Sequence, residues 1–237
     1  MTTIAQVRQV VQPLLQRHAD LALVGRYLLI KPVHHFTRGI FIERGGSSPK
    51  PFVPMTSVSL LFNGSTRMRL GWGLELCYFS FEGVDDDLAR QEKADRLEFI
   101  RWEIDHSPGI ERMLRVIEIA LDTLRPITTL ETMVAFGTQP GNYTIPFERR
   151  VYTRLLIAVA TGDLDQALEI IDAPSMKPRE IRQYMDQKYP TFYPALVAHD
   201  RQELARILHE LEATTVKNLK YDKVWESTPF PLELEYA

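Results

Sequence analysis

The chain has 237 residues and a formal net charge of −3, with 45% hydrophobic and 25% charged residues. This composition is ordinary for a globular protein, and the small net charge excludes a global attraction to nucleic acid or to an anionic membrane. The single cysteine, Cys77, excludes an internal disulfide and fits a reducing compartment. No apolar run approaches the roughly 20 residues that span a bilayer. We therefore expect a cytoplasmic protein with no membrane partner and no preference for nucleic acid.

The first third of the chain predicts one helix followed by strands. Apolar residues at three- and four-residue steps predict an amphipathic helix over about residues 3–18, which Pro13 should kink or end early. Residues 21–30, 35–44 and 52–62 have strand patterns, and Pro54 should restrict the third strand to a sheet edge or a bulge.

The stretch Arg67–Gly83 predicts a fourth strand, because its apolar residues alternate from Met68 to Tyr78. Both faces become apolar from Cys77 onward, so we expect this end, including the thiol, to be buried. Asn63-Gly64 favours a tight type I′ turn that pairs this strand antiparallel with residues 52–62. The glycines at 71 and 73 suggest a bulge or bend.

The rest of the chain has helical periodicity. We expect a helix from Asp85 to about Asp105, a helix capped by Ser107 and ended by Pro126, and a short helix with a capping box at Thr128 and Glu131. Gly137 should close that short helix. The sequence thus predicts an α+β fold: a leading helix and an antiparallel β-meander over residues 1–83, helices packed on the sheet over 84–137, and a helical subdomain over 138–237.

Two helical hairpins in the last third resemble each other. Residues 158–172 align with 195–209 at an offset of 37, which places Asp163 opposite Asp200 as helix N-caps. Two interpretations remain open: a true internal repeat, or ordinary helical hairpins with the same cap chemistry.

The C-terminal tail has a strand pattern, since Phe230, Leu232, Leu234 and Tyr236 alternate with Pro231 and two glutamates. The proline limits such a strand to an edge. It could return to the N-terminal sheet or extend the sheet of a neighbouring subunit, which would make the protein a homo-oligomer. We expect Trp225 to anchor this segment.

Motifs for catalysis are absent from the sequence. It has no phosphate-binding P-loop, no dinucleotide fingerprint, no zinc-protease motif and no nucleophile elbow. Asp85–Asp87 predict a helix cap in preference to a metal site, because consecutive helical residues point in different directions. His34-His35 suggest an exposed turn, with a ligand or acid–base role as the alternative. We therefore predict no catalytic residue, no metal and no cofactor.

A basic group near the predicted sheet is the best candidate for a binding site. It comprises His35, Arg38, Arg44, Arg67 and Arg69, with Lys50 in the intervening loop. Several of these residues could share the wet face of the sheet and bind an anion or a partner. The alternative is that they are ordinary solvated arginines.

Residues 4–76 resemble uncharacterised bacterial α/β proteins, some of which are associated with toxin–immunity systems. The similar features are the first helix and the segments HFTRGIFIERGGSSPKPF, SVSLLF and LGWGLEL. The resemblance implies no catalytic residue. It is compatible with a non-enzymatic protein-binding module that has a protein partner. The alternative is an enzyme that acts on an anionic small molecule or phosphodiester at the basic group, with Glu43 or Glu75 nearby.

Overall fold

The N-terminal helix, an antiparallel sheet and a mainly helical C-terminal half form an α+β fold, which confirms the predicted fold class. The structure is a computed structural model that describes residues 3–44, 51–67, 71–74, 76, 102–103, 107–139 and 145–234. It contains two compact units. Unit 1 comprises Met1–Val33, Thr37–Ser59 and Leu70–Thr128, and unit 2 comprises His34–Phe36, Leu60–Arg69 and Thr129–Ala237. The domain limits predicted at residues 83 and 137 stay predictions.

The described helices are numbered in chain order: α1 Ile4–Arg17, α2 Ser107–Leu124, α3 Leu130–Thr138, α4 Val151–Thr161, α5 Leu164–Asp172, α6 Met176–Lys188, α7 Phe192–Val197 and α8 Arg201–Leu219. The strands are β1 Leu21–Val24, β2 Tyr27–Ile30, β3 Phe36–Arg44, β4 Pro51–Leu60 and β5 Trp102–Glu103, and 3₁₀ helices cover Phe147–Arg149 and Pro231–Glu233. None of these helices is both long and apolar enough to cross a membrane.

Helix α1 begins at a capping box, in which Thr3 accepts from the backbone N–H of Gln6 and the Gln6 side chain accepts in return. Its buried face carries Val7, Val11 and Leu14 and packs on β1 and α2. The helix continues through Pro13 to Arg17, so the expectation that Pro13 would end it early is wrong.

The predicted single strand over residues 21–30 is in fact a hairpin of β1 and β2. Leu21 lies opposite Ile30 and Val24 opposite Tyr27. Gly25 occupies the first position of the two-residue loop with φ of 62°, a conformation that glycine adopts without steric cost. The turn therefore interrupts an apolar run in which no proline or asparagine signalled it.

Strand β4 lies between β3 and β5 in the sheet order, so the first alternative for Pro54, a sheet edge, is wrong, and the second, a bulge, stays a prediction. Residues 71–76 run antiparallel to β4, as predicted: the Thr56 N–H donates to Leu74 at 2.9 Å and the Leu76 N–H donates to Pro54 at 2.8 Å. Val58 lies opposite Trp72, and a tight turn at Asn63-Gly64 would not bring these two residues together, so the predicted turn is wrong.

Asn63 explains why the tight turn does not form. Its side chain accepts from the Ser65 N–H at 2.9 Å and donates to the Leu60 carbonyl at 2.9 Å. These local bonds replace the cross-strand bonds of a type I′ turn. The positive φ of 65° falls on Gly64, while Asn63 keeps a negative φ.

Several predictions fall on residues around 100. Trp102-Glu103 form β5 against Pro51-Phe52, so the predicted helix does not extend to Asp105. The pairing of β5 with β4 competes with helix formation there, since a residue cannot take part in both. The predicted strand beyond Leu76, the burial of Cys77 and the helix cap at Asp85–Asp87 lie outside the described residues.

Helices α2 and α3 follow the predicted apolar patterns with small shifts. The stripe of α2 includes Met113, Ile117 and Leu121, which are all buried. The capping box of α3 pairs Thr129 with Thr132, one residue later than predicted, and the helix continues through Gly137 to Thr138.

Unit 2 consists of packed helical hairpins whose connecting turns have the same geometry. In the α4–α5 turn the Asp163 N–H donates to Ala158 at 2.9 Å, and in the α7–α8 turn the Asp200 N–H donates to Ala195 at 2.8 Å. Both aspartates cap the following helix, as predicted. Each turn contains a left-handed residue at the offset of 37, Gly162 with φ of 82° and His199 with φ of 53°. The shared cap chemistry is thus confirmed, and a true repeat stays a prediction.

The described part of the tail, up to Leu234, forms a turn and not a strand. Pro231–Glu233 are a 3₁₀ helix that packs on α4 and α8, with Phe230 and Leu232 buried. The Glu233 carboxylate accepts from the Phe230 N–H at 2.6 Å, which closes the turn. Trp225, the predicted anchor, is half-buried.

The left-handed residue of the second hairpin turn gives a stability prediction. His199→Gly should stabilise the protein by about 0.5–1 kcal/mol, because glycine adopts positive φ without the steric cost of a side chain. The contact that is lost, 3.6 Å between His199 Nε2 and Asp165, is exposed and contributes little. Chemical denaturation measures the difference. Ala198→Gly, at a right-handed position next to it, is the matched control and should be destabilising; equal destabilisation by both variants would contradict the prediction.

A buried tyrosine predicts loss of stability at alkaline pH. The Tyr27 hydroxyl donates to the Ser57 carbonyl at 2.6 Å, and burial raises the pKa of Tyr27 to about 12. Its stabilising contribution is present below the ordinary tyrosine pKa of about 10 and is lost as the pH rises towards 12. Tyr27→Phe should cost about 1–3 kcal/mol near neutral pH, since the carbonyl loses its donor. It should also reduce the fall in unfolding free energy between pH 9 and about 11, measured by urea titration; an unchanged slope would rule out this role.

Candidate functional site

The five predicted binding residues have different environments. His35 and Arg38 are each only 8% exposed, whereas Arg67 is exposed in the loop after β4. Arg44 ends β3, and Arg69 lies outside the described residues. The expectation that His35 and Arg38 share a wet sheet face is therefore wrong. Ligand binding by any of the five residues stays a prediction.

The alternation of β3 explains the burial of Arg38. In a strand, residues two apart lie on the same face, so Arg38 shares a face with Phe36 and Ile40. Both of these neighbours are buried. The sequence thus contained the information that Arg38 lies on a covered face, although its charge suggested otherwise.

His35 has several hydrogen-bond partners and a stacked aromatic neighbour within unit 2. Its Nδ1 is 3.1 Å from Glu212 Oε1, and its Nε2 is 3.2 Å from both the Pro229 carbonyl and the Thr228 hydroxyl. The Phe230 ring stacks on the imidazole at a centroid distance of 3.9 Å and an angle of 18°. Both ring nitrogens therefore have partners, and one face of the ring is covered.

Local structure brings these groups together. The Leu61 N–H donates to the His35 carbonyl at 2.9 Å, which fixes the backbone at the start of β3. Glu212 lies on the apolar stripe of α8, beside Leu208 and Leu211, and its side chain is 0% exposed. An acidic residue at an apolar helix position was the sequence signal that could have identified Glu212.

A second ion pair continues from Glu212 to the tail. Glu212 Oε2 has no hydrogen bond among the described residues, and His209 Nδ1 lies 3.8 Å from it. His209 Nε2 is 2.8 Å from the Glu233 carboxylate, which also accepts from Phe230. We call His35, Glu212, His209 and Glu233 the His–Glu network. Since a buried carboxylate is costly unless cations or donors surround it, this network holds the tail against α8.

The contacts of the network are suited to anchoring the tail. His35 cannot transfer a proton to a bound molecule without losing one of its partners, and Phe230 covers it. Among the parts of the chain that the structure describes, no group of three or more histidine, cysteine, aspartate or glutamate side chains is arranged to hold a metal ion. His34, the neighbour of His35, has its Nδ1 3.2 Å from the Glu226 carbonyl.

A groove of about 470 Å³ adjoins the network. We call it the tail groove, and it lies between one face of α8 and the tail turn; its lining residues are Arg201, Gln202, Ala205, Arg206, His209, Leu232, Glu233 and Leu234. Leu234 is 54% exposed and contributes apolar surface to the groove. The groove therefore combines an apolar surface with charged groups.

The arginines of the groove are held in place by their neighbours. Arg206 donates to Glu203 at 2.7 Å through both Nε and Nη2, and to Glu210 at 3.2 Å. The bonds from Arg206 lower the pKa of Glu203 to about 2. Arg201 donates to the Leu232 carbonyl at 3.3 Å, which links α8 to the tail turn. Both guanidinium groups are thus oriented before any partner binds.

Comparisons with protein-family models, with curated proteins and with solved structures found no match. The chemistry of the His–Glu network and of the tail groove is therefore the basis for assigning a function.

The buried ion pair predicts a large energetic coupling. Glu212→Leu and His35→Phe should each destabilise unit 2 by about 3–5 kcal/mol, because each leaves a buried polar group without its partner. The double variant should lose much less than the sum. Denaturation of the four proteins in a double-mutant cycle measures the coupling. The control cycle on Lys177 and Glu180, whose side chains are 65% and 51% exposed, should give a coupling of at most about 0.5 kcal/mol. Additive effects at His35 and Glu212 would contradict the anchoring role.

Proposed function

We propose that the protein is a non-enzymatic protein-binding module and that a segment of its partner binds in the tail groove. The observation that carries this proposal is the combination of the exposed Leu234 with two oriented arginines around one groove. Protein interfaces typically have an apolar centre and a polar rim that is rich in arginine. The resemblance to proteins of toxin–immunity systems suggests an immunity-type role, in which the partner would be a toxin.

The charges of the groove indicate the chemistry of the partner segment. Two arginines and one glutamate line the groove, and the glutamate already accepts from His209 and Phe230. Three N–H groups of Arg206 donate to Glu203 and Glu210, and its remaining N–H groups are the donors that a carboxylate of the partner would use. We propose a segment that places an apolar side chain against Leu232 and Leu234, next to an aspartate or glutamate.

The alternative, an enzyme that acts on an anionic substrate around His35, Arg38, Arg44 and Arg69, has no specific contact in its favour among the described residues. The Phe230 ring covers one face of His35, and both of its nitrogens have partners within unit 2.

Selection of peptides tests the proposal without a known partner. A random library of 12-residue peptides on phage should yield binders that share an apolar residue next to Asp or Glu. Fluorescence polarisation of the synthesised peptides then measures affinity. Gln202→Trp, which fills the groove from an exposed position of α8, should weaken binding by about tenfold or more. Arg201→Gln should weaken it as well, and raising the salt concentration should reduce the difference.

Ala213→Trp is the matched control, because Ala213 is an exposed residue of the same helix that does not line the groove. It should leave the affinity unchanged. Selected peptides without the expected chemistry, or binding that survives Gln202→Trp, would refute the proposal. Mass measurement of the free protein identifies the case in which a second copy of the chain occupies the groove.

A further inference from the structure

Arg38 is a buried cation without an internal counterion among the described residues. It lies in β3, in unit 1, and is only 8% exposed to solvent. Its Nε is buried and has no hydrogen-bond partner. In the described part of the chain, no carboxylate forms an ion pair with its guanidinium group.

Such an arrangement is costly for a protein. Burial of a charged group is strongly unfavourable unless partners replace the water that it loses, and native structures rarely leave one unpaired. Burial indeed lowers the pKa of Arg38 below its usual value, while the charge of Asp20 acts in the opposite direction. An unpaired guanidinium at this position therefore calls for an anion that is not part of the described chain.

Asp20 does not supply the missing bonds, since it makes no hydrogen bond or ion pair with Arg38. Arg125 binds it through two nitrogens, with Nε 2.9 Å from Oδ2 and Nη2 3.3 Å from Oδ1. These bonds from Arg125 lower the pKa of Asp20. His18 Nδ1 lies 3.3 Å from the same guanidinium group, so the polar cluster around Asp20 is already closed. Burial lowers the pKa of Arg38 and the negative charge of this carboxylate partly opposes that shift, but the two side chains are not hydrogen-bonded to each other.

We propose that Arg38 binds a small oxyanion, a phosphate-like or carboxylate group, in unit 1. The planar guanidinium group offers two parallel N–H groups that match two oxygens of such an anion. A spherical chloride ion cannot form this bidentate pair, so its interaction with the guanidinium group is weaker. The remaining 8% exposure of the side chain gives a small solute access to it. This site is separate in chemistry from the tail groove, since it needs no apolar side chain.

Calorimetric titration of the full chain with inorganic phosphate, sulfate and acetate tests the proposal, at concentrations up to 10 mM and with ionic strength held constant by sodium chloride. At least one anion should bind saturably to the wild-type protein. Arg38→Met should weaken that binding by about tenfold or more, because it removes every N–H donor while keeping an unbranched side chain. Comparing the three anions distinguishes a tetrahedral from a carboxylate ligand.

Arg8→Met is the matched control, since Arg8 is an exposed arginine of α1 in the same unit. It should leave the affinity unchanged. If Arg38→Met does not fold, Arg38→Lys provides the same comparison, because a single ammonium group cannot form the bidentate pair. Absence of saturable binding in the wild type, or equal binding by the Arg38 and Arg8 variants, would overturn the proposal.

Discussion

The buried carboxylate of Glu212 is the constraint on which the rest of unit 2 depends. A carboxylate that is fully removed from water must have partners at close range, and the one that α8 itself offers, His209, lies 3.8 Å away. His35 therefore comes in from the start of β3, and His209 approaches from one turn earlier on α8. The position of His35 in turn fixes Phe230 and the tail turn. The walls of the tail groove follow from this ion pair, since the turn that carries Leu232 and Leu234 forms one of them.

Much of the fold was predictable because local rules determine it. Helix periodicity and cap residues such as Asp163 and Asp200 act within a few residues, and the structure confirms them. The misplaced features depend on competition between local and distant bonds. A turn at Gly25 divides an apolar run in which this glycine is the one turn signal, and the side chain of Asn63 satisfies its own loop in place of a tight hairpin. The tail forms a turn because Glu233 reaches back to the Phe230 N–H, an option that the alternation pattern did not exclude.

The candidate site was less predictable than the fold. His35 and Arg38 belong to the predicted basic group, whose charge suggested a wet surface. The structure instead buries both side chains. Arg38 could have been placed correctly from the alternation of β3 alone. The partner of His35 could not, because Glu212 is 177 positions away and no local rule connects the two. A buried acid on an apolar helix stripe is a signal for some distant cation, yet it does not say which one.

Long-range ¹H–¹⁵N NMR of the His35 ring tests most directly whether the His–Glu network holds the tail. A carboxylate oxygen of Glu212 only accepts, so Nδ1 should carry a proton that exchanges slowly with water. This proton should show a nuclear Overhauser contact to the Phe230 ring, which stacks on the imidazole. A rapidly exchanging Nδ1 proton without a contact to Phe230 would contradict the account, because the tail would then be held by other interactions.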